Sequence, residues 1–165
     1  VLADAARLMG PNSNVRFLIG GTGEDEAYVA SLREKFGDAD GEFMGWVKPD
    51  DVYPLFDVLV VPSKWKEPFG RIVVEALAYG VPVICARSGG IAESIRENEN
   101  GYTFASGQHD ELITLLRDVL EPDEPARMRL AQNALQHSHR FDIGTIAARI
   151  SDFVSATVAS YKARP

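Results

Sequence analysis

Glu67-Pro68-Phe69-Gly70-Arg71-Ile72-Val73-Val74-Glu75-Ala76-Leu77-Ala78-Tyr79-Gly80-Val81-Pro82-Val83-Ile84 reads as loop, helix, turn and strand. A residue before proline is pushed out of the α region, so Glu67 is extended. Gly70 permits a close or left-handed backbone just ahead of a helix. From Arg71 to Tyr79 nearly every residue is apolar, which predicts a helix buried on most faces. Gly80 is a stop signal, and Val81-Pro82-Val83-Ile84-Cys85 then reads as a buried strand.

Glu67 and Glu75 interrupt this apolar run. One lies in the loop before the helix and the other about one turn inside it, so both belong to the helix's N-terminal end. That end carries partial positive charge and unpaired N–H groups, which suit an anion such as phosphate. Carboxylates beside it can accept hydrogen bonds from neighbouring hydroxyls. A ligand with both diols and phosphates matches, and a sugar nucleotide is such a ligand. A second reading stands beside it: Glu75 pairs with an arginine and Glu67 lies in a solvated loop, since ion pairs equally explain isolated charges.

The glutamate pair with seven residues between, followed by Gly80-Val81-Pro82-Val83 and by Ser88-Gly89-Gly90-Ile91-Ala92-Glu93, resembles the family-4 retaining glycosyltransferases. The resemblance runs from about Val1 to about Phe153 and is to their C-terminal, donor-binding domain. It implies one Rossmann-like domain over residues 1–165, the C-terminal half of a GT-B architecture, with a helical tail at about 143–162. It implies transfer of a sugar from a nucleoside-diphosphate sugar to an acceptor, with retained configuration and no metal or other cofactor. Residue by residue, Glu75 would hold ribose hydroxyls, and Glu67, the catalytic position, would bind the donor sugar and face the transferred ring. Backbone N–H groups of Phe69, Gly70 and Arg71 would meet sugar hydroxyls or phosphate, with Ile72 beside them. Gly89 and Gly90 would line the same cleft and Gly21 would border it. Trp46 and Val47 would meet the base. Lys64 is set down for phosphate, though lysines in loops are commonly solvated.

The family's pyrophosphate-binding arginine and lysine have no counterpart here; they would precede Val1, as would an acceptor-binding domain. The chain opens on Val1, not Met, and reads as part of something longer. The chain alone is therefore expected to bind nucleotide weakly and to transfer no sugar. Any membrane association is assigned to the other part, with a cytoplasmic location and peripheral attachment at the inner face.

Around this core the chain alternates. A helix at Val1–Met9 leads to a strand at Val15–Gly20, a helix from about Asp25 to Phe36, a strand at Glu42–Gly45 and a helix from about Pro49 to Phe56. Val58–Ser63 is a continuous apolar strand, as in a parallel sheet covered on both faces. After Cys85 come a short helix at Ile91–Glu97, a strand at Gly101–Phe104 and helices at about His109–Leu120, Pro125–His137 and Ile143–Lys162. The last carries Ile143, Ala147, Ile150, Phe153, Val154, Val158 and Tyr161 at helical spacing, normally a core stripe, though in the full-length members of the family it resembles the final helix crosses to the other domain, which would leave part of it as orphaned surface here. The sum is α/β, a doubly wound parallel sheet of five or six strands with its ligand at their carboxyl ends.

With 165 residues, 45% hydrophobic, the chain suits one globular domain. Its net charge of −7 argues against a nucleic-acid surface, so phosphate must be bound by local geometry. The single cysteine, Cys85, sits in an apolar run and reads as a buried structural thiol. Gly21-Thr22-Gly23-Glu24-Asp25-Glu26 lacks the third glycine of a dinucleotide fingerprint and carries repelling acids, which disfavours a dehydrogenase. Asp38-Ala39-Asp40 imitates a metal motif but reads as a solvated turn. His137-Ser138-His139, a weak metal pattern with no nearby carboxylate, reads as exposed histidines after a helix. Two alternatives remain at this point: a receiver-like binding module, whose acidic strand ends are missing here, and half of a sugar-nucleotide epimerase.

Overall fold

The computed structural model describes residues 1–11, 13–39 and 41–162. α1 (Leu2–Met9), β1 (Phe17–Gly20), α2 (Glu26–Phe36), β2 (Gly41–Gly45), α3 (Pro49–Val52) and β3 (Leu59–Val61) follow in order. α4 (Arg71–Ala78), β4 (Val83–Ala86), β5 (Gly101–Phe104), α5 (His109–Leu120), α6 (Glu124–Ser138) and α7 (Ile143–Lys162) complete the chain. Every paired strand runs parallel, so the fold is α/β as the alternation requires.

The strands hydrogen-bond in two groups, β1–β2 and β3–β4–β5, instead of one continuous ladder. Packing spans the two groups. Phe17 of β1 shares an apolar cluster with Ala5 and Ala6 of α1, Ile84 and Ala86 of β4, Phe104 of β5, and Leu112 and Leu116 of α5. The opposite face of the sheet has its own cluster: Leu59, Val61, Val83 and Cys85 against Val73, Ala76 and Leu77 of α4 and Ala134 of α6. Along β4, Ile84 and Ala86 point one way and Val83 and Cys85 the other, the period-two alternation of a strand. Helices on both faces explain why β4 is apolar at every position and wholly buried.

α4 is less buried than its composition suggests. Val73, Ala76 and Leu77 form its inner stripe, whereas Arg71, Ile72 and Ala78 are exposed. Its end follows the sequence signal: Gly80 sits at φ +72°, Gly80 N–H donates to Leu77 O (2.9 Å) and Val81 N–H to Ala76 O (3.0 Å). This is a Schellman cap, and only the left-handed residue needs to be glycine.

Two other elements depart from expectation, and α7 takes the exposed of the two readings open to it. The helix foreseen from Pro49 to Phe56 ends at Val52 and tightens to a 3₁₀ turn at Tyr53–Leu55. Pro54 lacks the N–H that a continuing α-helix would use. The helix foreseen at Ile91–Glu97 is a 3₁₀ turn over Gly90–Ser94, with Ile95 extended. Asn100 takes over the backbone there, accepting from Arg96 N–H (2.7 Å) and donating to Ser94 O (3.1 Å). α7 buries none of its residues; its apolar stripe, from Ile143 to Tyr161, lies against no other element's core.

Among the described residues no helix is long and apolar enough to cross a membrane.

Candidate functional site at the strand carboxyl ends

The loops leaving β1, β2, β3 and β4 all emerge at the carboxyl ends of their strands, where a doubly wound sheet binds ligands. Beyond β3, the segment Ser63–Gly70 runs against the loop after β4. Glu67 and Gly89 form an isolated parallel bridge, with Gly90 N–H donating to Glu67 O (2.8 Å) and Glu67 N–H to Ser88 O (3.3 Å). The Ser88 hydroxyl also donates to Trp65 O. Gly89 has φ +72°, and a Cβ on it would lie 2.8 Å from the Glu67 nitrogen. A Cβ on Gly90 would strike the Pro68 carbonyl. These two glycines therefore admit the Glu67 loop; their close approach is to another loop.

Glu67 is half-buried, and Trp65 Nε1–H donates to its Oε2 (2.9 Å). Phe69 packs edge-on against Phe141 (5.9 Å between centroids) from the turn after α6. Gly70 caps α4 in the left-handed conformation, and no side chain bonds the helix's first N–H groups. Those groups are the ordinary unpaired donors of a helix start.

Glu75 lies one turn inside α4 with its side chain 34% exposed. Arg71 Nη2 donates to Glu75 Oε1 (2.9 Å), and the Tyr53 hydroxyl donates to Oε2 (3.2 Å). The arginine reading of Glu75 thus has a physical basis, but the pair sits at the surface: the Arg71 side chain is 86% exposed. Such a pair is worth little and is readily exchanged. Neither acid is locked into an interior ion pair.

At the ends of β1 and β2, Gly21 N–H donates to Gly45 O (2.6 Å), so the glycine turn is tied to the neighbouring strand. Val47 packs beside Gly20, while Trp46 is 72% exposed and packs into no rim. Lys64 is exposed on the loop after β3. The structure thus brings Glu67 together with Gly89 and Gly90, and Glu75 with Arg71; Gly21, Trp46, Val47 and Lys64 lie at the same sheet edge on separate loops. A groove of about 490 Å³, lined by Met9, Val15, Leu116 and Leu120, lies at the amino ends of the strands, away from the glutamates.

The decoy residues sort themselves. Of Asp38-Ala39-Asp40, the second aspartate lies outside the described residues. His137 is half-buried within α6, not after it, and burial, with Arg96 and Arg140 nearby, lowers its pKa from the ordinary value. His139 does have a carboxylate beside it, Asp142 Oδ2 at 3.1 Å. No cluster of three or more His, Cys, Asp or Glu able to hold a metal occurs among the described residues.

Residues 1–137 match the family Glycosyl transferases group 1. The chain belongs to that family. This group 1 chain is 32% identical over 146 residues to D-inositol 3-phosphate glycosyltransferase 2 of Catenulispora acidiphila, covering 84% of itself and 33% of that protein. It is 32% identical over 124 residues to the sulfoquinovosyl transferase SQD2 of Arabidopsis thaliana, covering 72% of itself and 24% of that protein. It therefore spans a third or less of the length of either relative. Among solved structures, Anabaena Alr3699/HepE in complex with UDP and glucose superposes with a TM-score of 0.79 at 26% identity, over 93% of this chain and 44% of that one. The C-terminal domain of a glycosyl transferase group 1 family protein, LpcC of Francisella tularensis, gives 0.71 at 25% identity, over 86% and 78%.

Two side chains that touch these glutamates escape a reading of the motifs. Trp65 stands two residues before Glu67 and could have been noticed as a donor within reach. Tyr53 is 22 residues from Glu75, and no linear pattern links them.

Proposed function

We propose that this chain is the C-terminal, donor-binding domain of a family-4 retaining glycosyltransferase of GT-B architecture, and that its ligand is a nucleoside-diphosphate sugar. The observation that carries this is that two carboxylates free of interior ion pairs, Glu67 in the loop before α4 and Glu75 one turn inside it, flank a helix start that no side chain caps, in a chain of the group 1 family. Glu75 accepts from the ribose hydroxyls, and Glu67 from hydroxyls of the sugar at the transferring carbon. The N–H groups of Phe69, Gly70 and Arg71, with Ile72 alongside, face sugar hydroxyls or phosphate. Gly21, Trp46, Val47 and Lys64 complete the rim toward base and phosphate.

As the glycosidic bond breaks, the departing diphosphate gains negative charge. Fixed N–H donors and the α4 dipole aimed at that charge lower the barrier. The sugar passes to the acceptor with retained configuration, and the residues named here perform their roles without a metal. UDP is the first nucleotide to test, because the Anabaena relative was solved with it.

The acceptor-binding half lies outside residues 1–165, which agrees with the fraction of each relative that the chain spans. The sheet supports the same reading. Among the described residues β1 pairs only with β2, and β3 only with β4. In a doubly wound sheet the first strand lies between the second and the fourth. With β1–β5 taken as the second to sixth strands, a first strand supplied from outside residues 1–165 would lie between β1 and β3 and bring phosphate-binding side chains with it. Attachment to a membrane, if the whole protein has it, and a cytoplasmic setting belong to the same proposal. The receiver-like and epimerase readings gain no support from the relatives.

The test is calorimetric titration of the chain with UDP, ADP and GDP, with Glu75→Ala in parallel. Nucleotide binding that weakens at least tenfold in the variant is expected. Unchanged binding by the variant, or binding of no nucleotide, refutes the assignment. Separately, the 165-residue chain is expected to transfer no sugar.

A further inference from the structure

The two carboxylate oxygens of Glu75 are held very differently. Arg71 reaches Oε1 from an exposed side chain, whereas Tyr53 reaches Oε2 from inside the fold. The Tyr53 ring is buried, stacked on Tyr79 (5.3 Å between centroids, 25° between planes) and edge-on to Phe56 (6.1 Å, 88°). Tyr79 is itself tethered by its hydroxyl to Asp50. With its ring clamped, Tyr53 has its hydroxyl at a fixed point. That hydroxyl has one proton and two acceptors nearby, Glu75 Oε2 at 3.2 Å and Ile72 O at 3.4 Å. The carboxylate is the closer and the charged one, hence the stronger partner.

We propose that Tyr53 is a positioning residue: it fixes the Glu75 carboxylate in the orientation that receives a ribose diol, while Arg71 is the releasable partner that gives way. This rests on the reading of Glu75 as the ribose-binding acid. A carboxylate has about four lone-pair sites. Tyr53 occupies one from behind and leaves the outward ones open to two hydroxyls. Burial and the neighbouring Glu75 charge hold the Tyr53 pKa above its ordinary value, so the hydroxyl remains a donor. A carboxylate oriented in advance loses less rotamer freedom on binding.

The experiment compares Tyr53→Phe with wild type in titrations with UDP and with 2′,3′-dideoxy-UDP. Phenylalanine keeps the ring and its stacking, and removes only the hydroxyl. Fixing one side chain in advance corresponds to about three- to tenfold in affinity. The expected result is a loss of that size for UDP and a change within about twofold for the dideoxy analogue, which has no diol to orient. The readout is the ratio of the two affinities, so a variant that is partly unfolded lowers both together and cannot imitate it. Equal loss of both ligands assigns Tyr53 a merely structural role and overturns the proposal; so does unaltered UDP binding. Glu75→Ala separates the two levels. If it binds UDP as wild type does, the site assignment itself falls and the Tyr53 role with it. If it loses UDP while Tyr53→Phe does not, only the role of Tyr53 falls.

Discussion

Replacing Gly89 by alanine acts on the Glu67 loop without touching Glu67. Gly89 has φ +72°, and its new Cβ would meet the Glu67 carbonyl oxygen and lie 2.8 Å from the Glu67 nitrogen. Ordinary contact begins at 3.4 Å, so the two loops must part by about 0.6 Å at the nitrogen and further at the carbonyl. Both listeners to that strain are backbone, and neither can swing aside as a side chain would. Two backbone hydrogen bonds cross the seam at Glu67 itself, Gly90 N–H to Glu67 O and Glu67 N–H to Ser88 O. At about 0.5–1.5 kcal/mol each, together with about 1–2 kcal/mol for a left-handed alanine, the cost is roughly 2–5 kcal/mol. Gly107→Ala is the control: it has φ +90° but nothing within 4 Å of a Cβ. It isolates the backbone cost of about 1–2 kcal/mol. Urea denaturation of both variants measures the difference. On the proposed role of Glu67, displacement of a group at the reacting centre by about 1 Å can lower turnover of the whole protein about a hundredfold. Gly89→Ala is expected to approach that loss, and Gly107→Ala to show none. If Gly89→Ala is no more destabilising than Gly107→Ala, the loop-on-loop packing does not hold Glu67, and the reasoning fails.

Other outcomes follow from the same coordinates. Asn100 is fully buried and its amide satisfies both Arg96 N–H and Ser94 O, so Asn100→Ala should cost about 2–4 kcal/mol in urea denaturation. Burial pushes the Cys85 thiol up to about 12, so Ellman's reagent at pH 8 should label it only after unfolding. Because that folded value exceeds the unfolded one of about 8.5, its contribution is complete below about pH 8.5 and is lost as pH rises toward 12. Between pH 8 and 10.5, wild type should therefore lose roughly 2–3 kcal/mol more than Cys85→Ala. Arg71→Ala should change stability by less than about 0.5 kcal/mol, since its pair with Glu75 is solvent-screened; a larger loss would contradict the view that Arg71 lets go easily.

Much of the architecture was legible before any coordinates. The run Val81–Cys85, apolar at every position, read as a buried strand, and β4 is one, shifted to Val83–Ala86. Gly80 marked the end of α4 because one residue there must be left-handed. The element boundaries that failed did so for local reasons the hydrophobic pattern does not carry. Pro54 removed a donor from the helix after Pro49, and the Asn100 amide outcompeted helical bonding at Arg96. α7 shows a limit of another kind: its stripe is real, but apolar spacing left core and orphaned surface both open, and the stripe is exposed.

For the site, the sequence by itself determined the chemistry on offer: a glycine-led helix start with one acid in the loop before it and, once Arg71–Ala78 is helical, a second acid one turn inside. What the tertiary structure alone decided is how those acids are held. Gly89 and Gly90 serve the Glu67 loop through close backbone approach, and Tyr53 meets Glu75 across 22 residues of chain. Helix caps and strand alternation depend on neighbours along the chain, which a sequence displays directly. Contacts between loops depend on where the packed sheet delivers them, and that is settled only when the two faces of the core close.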